Sequence, residues 1–208
     1  MNMIIHDDGH TNVICEDALE GFKVMEARSR NRAFKAGAFD LVLTNPPFGA
    51  TVSKTERPYL GDYDLGNSGE GAKRKIRNNQ KTEILFIERI WQFLKPGAGR
   101  AAVVLPDGIL TNASSQYVRD FLLSKFQLLA VVSLPPFAFA HFGAGVKSSL
   151  IFVRKLAQGE VIGDEEPIFM ASPECIGYDA TGRETRNDLE DVLTQYRAFQ
   201  RNPAPFFV

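Results

Sequence analysis

Little in this chain points outside the cell or into a membrane. Two cysteines among 208 residues, Cys15 and Cys175, are too few for a disulfide framework. No apolar run approaches the roughly 20 residues that a membrane span needs. The first residues turn polar within a few positions and carry no leader pattern. The expectation is a cytoplasmic bacterial-type protein with no membrane contact. Charge of one sign is also missing: the net value is −1, so no global basic field surrounds the chain. Any nucleic-acid surface must be local, or supplied by another domain or subunit. His6, His10 and His141 share no ligand spacing, so no metal site is expected.

What is present is ordinary for a globular protein, with 44% hydrophobic and 24% charged residues. The length suits one domain plus an appendage. The informative stretch is Phe39-Asp-Leu-Val-Leu-Thr-Asn-Pro-Pro-Phe48. Leu41, Val42 and Leu43 read as a buried strand. Pro46 and Pro47 stop it, because proline gives a ladder no N–H and pushes the preceding residue to extended geometry. Asn45 is thereby held at the carboxyl end of a strand, where open α/β sheets bind ligands. Its side-chain oxygen and the Pro46 carbonyl are two acceptors that suit an –NH2 group. Phe48 offers a face for a planar base, and such stacking is worth about 1–3 kcal/mol per base. A plain strand-to-loop turn is the competing reading, since Asn-Pro is a common turn starter.

Asn45-Pro-Pro-Phe48 after that strand resembles the catalytic motif of amino-methyltransferases that use S-adenosylmethionine (SAM). Four further stretches resemble the N-6 adenine DNA methylases: Met1-Asn-Met-Ile-Ile-His6, Lys81 to Arg89, Leu94 to Gly108 and Gly145 to Val153. The modification subunits of type I restriction systems and their single-chain relatives are the best match. The resemblance runs in order through nearly the whole chain.

It implies an α/β fold: a partial SAM-dependent methyltransferase (Rossmann-like) sheet with helices on both faces, lacking its first two strands. Residues 1–156 are expected to be the C-terminal portion of the catalytic domain. Residues 157–208 are expected to be a small extension with a hairpin and a helix, leading to an absent target-recognition region. The implied reaction is methyl transfer from SAM to the exocyclic N6 amine of adenine in double-stranded DNA. Specificity and restriction subunits or domains are the implied partners. The implied catalytic residues are Asn45, Pro46, Pro47 and Phe48. Asp17, which follows the strand candidate Asn12–Cys15, is assigned to the cofactor together with Asn45. An acid at a helix start is the plainer reading of Asp17. Phe142, and second Phe137, match the aromatic that stacks on the other face of the base, although both also read as core.

The family's strand order is 3-2-1-4-5-7-6, and this chain is expected to supply strands 3 to 7. No Gly-x-Gly follows a strand in the first forty residues, so the SAM pocket is expected to be incomplete and the chain alone inactive. Residues 1–20 are expected to rearrange, or the open sheet edge to form a homodimer. Two other readings share the residues: an RNA or protein-glutamine amine methyltransferase, and a non-catalytic assembly module.

Residues 22–36 suggest a helix with a solvated basic face. Residues 49–80 lack a sustained apolar period and contain five glycines, which suggests an active-site loop poorly ordered without DNA. Within it Lys73, Arg74, Lys75 and Arg77 either neutralise DNA phosphates or form a mobile solvated run. Thr82 to Leu94 shows helical spacing, and Ala101–Leu105, Leu128–Leu134 and Ser148–Val153 read as buried strands. Pro167–Ala171 suggests an edge strand, Ile176–Gly182 a hairpin, and Asn187-Asp188 the cap of a helix. Asn202–Pro205 reads as a linker.

Overall fold

The computed structural model describes residues 13–69, 71–163 and 165–207. The Met1–His6 motif, His10 and Asn12 lie outside the described residues.

The centre of the fold is a five-stranded sheet. Its members are β1 (Leu41–Thr44), β6 (Arg100–Pro106), β7 (Phe126–Ser133), β8 (Ser148–Lys155) and β9 (Phe169–Ala171), in the order β1-β6-β8-β7-β9. β1 runs parallel to β6, whereas β8 is antiparallel to both its neighbours. The first four columns reproduce the 4-5-7-6 part of the expected order. β9 adds an edge parallel to β7.

Alternation along each strand separates two faces. One carries Val42, Ala101, Val103, Leu105, Ile151 and Val153. It packs against Ile84, Ile87 and Ile90 of helix α2 (Thr82–Phe93) and Val118 and Leu122 of helix α4 (Gln116–Lys125). α2 ends at Phe93, three residues before Pro96, and Gly97 takes φ +73°. The Lys155 ammonium bonds the Trp91 and Leu94 carbonyls at 2.7 and 2.9 Å, a positive charge against the negative end of the helix. The second face is covered only in part. Helix α5 (Leu189–Arg201) lays Val192, Tyr196 and Phe199 on Ala130, Phe152 and Phe169.

Four expectations fail on packing grounds. β1 is not buried: Leu41 and Leu43 are 57% and 70% exposed, and only Val42 joins the core. Among the described residues no strand pairs with its outer edge, and Val13–Cys15 form none. The helix expected over 22–36 stops at α1 (Phe22–Arg28). There Ser29 Oγ takes the Asn31 N–H at 3.1 Å and Asn31 Oδ1 takes the Ala33 N–H at 2.8 Å, and such local bonds compete with a helix. Residues 202–205 are no free linker, because the following Phe206 folds back onto Phe169 and Phe199.

The fourth is the segment 49–80, which is built rather than loose. β2 (Thr51–Ser53) pairs with β5 (Asn79–Lys81), and β3 (Asn67–Ser68) with β4 (Lys75–Ile76). Val52, Tyr59, Leu60 and Tyr63 pack with Leu19 and Leu85 into a second core. Buried Glu88 on α2 accepts the Asp64 and Leu65 N–H groups, both at 2.9 Å. Burial pushes its carboxyl above the ordinary value, and those two bonds oppose the shift. Hairpin β10 (Ile176–Tyr178) and β11 (Glu184–Asn187) completes the fold beside α5. Helix α3 (Asp107–Thr111) follows β6 directly.

Candidate active site

The site lies where β1 and β6 end. Asn45 is exposed, Pro46 buried and Phe48 half-buried. The turn is pinned from below by the start of α2. The Thr82 hydroxyl reaches the Pro47 and Ala50 carbonyls at 3.0 and 3.1 Å, and the Thr82 N–H donates to Ala50 at 3.0 Å. The Gly49 N–H donates to Glu83 at 3.3 Å; Glu83 is 2% exposed. Among the described residues neither the Asn45 side chain nor the Pro46 carbonyl has a hydrogen-bond partner. A fixed turn thus presents two free acceptors at the sheet edge.

The aromatic wall differs from the expected one. Phe48 meets Phe139 edge-on, with ring centroids 6.5 Å apart at 84°. Phe142 is 70% exposed and rests against Tyr178 and His141 instead. Phe137 packs in the cluster of Leu134, Ala138 and Ile176. Counting back from β8 could not separate these rings, because the turns between 135 and 144 decide which one faces Phe48.

Beside Asn45, the next strand ends in a bonded cluster. Asp107 accepts from Lys147 Nζ at 2.9 Å and from Ser149 Oγ at 2.8 Å, and Lys147 also donates to Ser133 Oγ at 2.8 Å. Asp107 follows a strand and Pro106, much as Asn45 follows a strand, so the same logic would have flagged it. Thr82 and Glu83 gave no such signal beyond their place at a helix start.

Asp17 is occupied within the chain. Its carboxylate takes the Tyr59 hydroxyl at 2.7 Å and the Leu19 N–H at 3.0 Å, with Arg57 at 3.9 Å. Burial, then the bond to Asp17, pushes the Tyr59 phenol above its ordinary value. Of the basic residues, Lys73 and Lys75 are exposed and Arg74 pairs with Asp64 at 2.9 Å. Arg77 donates to the Asn67 carbonyl at 2.9 Å and lies 4.3 Å from the Tyr117 ring centre, so it also serves the packing of its segment. No glycine turn joins a strand to a helix ahead of β1 among the described residues. The turn after β1 therefore offers two acceptors of the kind that suit an –NH2 group. Among the described residues no three His, Cys, Asp or Glu side chains converge on a metal-sized space, and no helix is long and apolar enough to cross a membrane.

The family model for N-6 DNA methylases matches residues 1–203. The EcoKI methylase subunit of Escherichia coli K12, a type I restriction enzyme, is 30% identical over 117 residues, covering 55% of this chain and 18% of that protein. The StySPI methylase subunit of Salmonella potsdam is 30% identical over 118 residues, 56% of this chain and 19% of its own length. The chain thus spans less than one fifth of these relatives. A solved chain from a study of type I R-M system assembly aligns with TM-score 0.65 and 27% identity over 96% of this chain and 36% of its own. A structure described as a modification subunit of a type I restriction enzyme from Vibrio vulnificus YJ016 aligns with TM-score 0.64 and 23% identity over 95% of this chain and 37% of its own, a likeness of fold.

Proposed function

The chain belongs to the N-6 DNA methylase family, and from that premise we propose that it carries the amine-binding half of an adenine-specific DNA methyltransferase of a type I restriction-modification system. The observation that carries this reading is the pinned turn with its two unpartnered acceptors, Asn45 Oδ1 and the Pro46 carbonyl. Adenine N6 has two hydrogens. Accepting both draws the nitrogen lone pair out of conjugation with the ring and fixes its direction. The base is out of reach inside a duplex, so it is extruded. Phe48 stacks on it, and Phe139 closes the wall. SAM supplies the electrophilic methyl group, held by a cofactor half that the described residues do not build. Positioning and local dipoles do the work, with no covalent intermediate and no strong general base.

In this reading Lys73, Lys75 and Arg74, on the segment that follows the catalytic turn, neutralise DNA phosphates. Asp17 would reach a cofactor only by releasing Tyr59. Specificity and restriction subunits are the partners of this reading, and the edge of β1, which pairs with no strand among the described residues, accepts either a strand of a cofactor-binding half or a second copy.

In the complete enzyme, Asn45→Ala is expected to cut methyl transfer to DNA by on the order of 100- to 1,000-fold while sparing SAM affinity. Turnover like the wild type would sink the assignment, and transfer to RNA or a glutamine peptide in place of DNA would move the substrate class. A second reading, an assembly module, rests on the missing cofactor loop. Calorimetric titration of SAM into this chain alone separates the two: saturable binding means a second copy or a rearranged edge rebuilds the pocket, and absence of binding leaves an amine site that needs its other half.

A further inference from the structure

The connection from β7 to β8 carries Phe139, the ring that faces Phe48. It is a string of tight turns: Ala138 N–H to Pro135, Ala140 to Phe137, Phe142 to Phe139, then Gly143 at φ +84°. Such a string sets its own local shape but not its tilt over the sheet. The tilt is set from outside, by the β10–β11 hairpin of the extension. The Tyr178 hydroxyl donates to the Ala138 carbonyl at 2.9 Å. Among the described residues it is the one side-chain hydrogen bond from elsewhere in the chain to residues 135–145. The Tyr178 ring also meets Phe142 edge-on at 6.3 Å, and Ile176 and Leu189 pack with Phe137, Ala138 and Phe139. At the hairpin tip Gly182 has φ +83°, and a Cβ there would lie 2.6–2.8 Å from three atoms of the His141 ring. The Gly182 backbone of the hairpin therefore lies directly against the His141 ring of the connection.

The hairpin itself is anchored at its far end. Asp188, buried, accepts the Glu174 and Cys175 N–H groups at 3.2 and 2.9 Å and Arg186 Nε at 2.5 Å. A continuous run of hydrogen bonds and packing thus leads from the start of α5 through the hairpin to the turn that carries Phe139.

We propose that Tyr178, with Gly182 against His141, is a positioning residue: the extension hairpin fixes the tilt of the 137–143 turn and so holds Phe139 across from Phe48 to close the second wall of the base pocket. This rests on the reading of that pocket given above. It gives residues 176–187 a role in holding the target base, separate from any contact with DNA sequence.

Two measurements on this chain test it. The first is amide hydrogen exchange of Tyr178→Phe, which removes only the hydroxyl, with Gly182→Ala as a second variant. Both are expected to speed exchange of the Ala138–Ala144 amides by roughly fivefold, the scale of one lost hydrogen bond, and to leave α2 and β8 unchanged. Unchanged exchange in the turn overturns the proposal, and so does loss of protection spread evenly over the sheet. The second is quenching of 2-aminopurine placed in a single-stranded oligonucleotide, a signal of stacking on an aromatic wall. Tyr178→Phe is expected to weaken quenching in the same direction as Phe139→Leu; quenching equal to the wild type overturns the proposal. If the wild-type chain itself does not quench, the base-pocket reading falls, and hydrogen exchange alone decides whether the hairpin holds the turn.

Discussion

Two polar residues end neighbouring strands of one sheet, and the fold treats them in opposite ways. Asp107, after β6, is tied to Lys147 and Ser149 at 2.9 and 2.8 Å and has little freedom left. Asn45, after β1, is exposed, and among the described residues its side chain is bonded to nothing. Backbone chemistry cannot account for the difference, since both follow apolar strands and both have proline as a direct neighbour. The surroundings account for it. Asp107 faces a third and a fourth strand end, which supply Ser149, Lys147 and Ser133. Asn45 stands at the edge column, and its turn is held through the main chain of residues 47–50. A residue whose turn is fixed by others, and whose own polar atoms stay free, is positioned for a ligand. A residue bonded on every side serves stability.

The widest separation between them should appear when each is cut to alanine. Asn45→Ala is expected to leave unfolding free energy within about 0.5 kcal/mol, because it removes no bond. Its cost to methyl transfer in the complete enzyme should be on the order of 100- to 1,000-fold, the scale for losing one group that holds a reacting centre. Asp107→Ala should lower stability by about 2 kcal/mol, because it strands the buried Ser149 hydroxyl and one donor of Lys147. Denaturant unfolding of both variants checks the crossing, and a stability loss at Asn45 equal to that at Asp107 would erase it. A smaller effect is expected at Thr82→Val, which keeps the shape and removes the hydroxyl under the Asn45 turn. Stability should fall by about 1 kcal/mol, while transfer should fall at least ~10-fold through misplacement of the acceptors. A transfer rate that tracks stability alone would mean the turn holds its shape without the pin.

Much of this was legible before any coordinates. The spacing of Ile84, Leu85, Ile87 and Ile90 foretold α2, and the Asn45-Pro-Pro-Phe48 turn stands at the end of a strand as its prolines require. The strand order 4-5-7-6 also appeared as the resemblance implied. Legibility failed where a residue's surroundings come from distant chain. Leu41 and Leu43 look like core, yet burial of a strand depends on its neighbours, and among the described residues β1 has one. Segment 49–80 looks loose because its tyrosines and Leu60 pack with Leu19 and Leu85, and its Asp64 and Leu65 N–H groups answer to Glu88, all outside the segment. Phe139 could not be told from Phe137 or Phe142, because all three lie within one run of tight turns whose contacts come from a hairpin some forty residues later. Thr82 and Glu83 act through main-chain carbonyls and an N–H, which carry no mark in the sequence.

The smallest expected effect lies at the opposite end of the strands, where the carboxyl end of the central strand β8 offers a control. Arg154 reaches both oxygens of Glu160, at 2.6 and 3.1 Å, and the Ala157 N–H adds a third bond at 2.7 Å. The side-chain bond to Arg154, and then that N–H, bring the Glu160 carboxyl down from 4.5 to about 2. A carboxyl lowered on folding contributes stability above its ordinary value and loses it as the pH falls through the folded one. The window is therefore from pH 4.5 down to about 2. Glu160→Gln should flatten the pH dependence of unfolding in that window, by an amount that shrinks with added salt, since the pair is open to solvent. Like Asp107, Glu160 is fully engaged, so this change should leave transfer by the complete enzyme untouched at neutral pH. A loss of transfer in Glu160→Gln would break the rule drawn from Asn45 and Asp107, because it would place function on a group whose hydrogen bonds are already made.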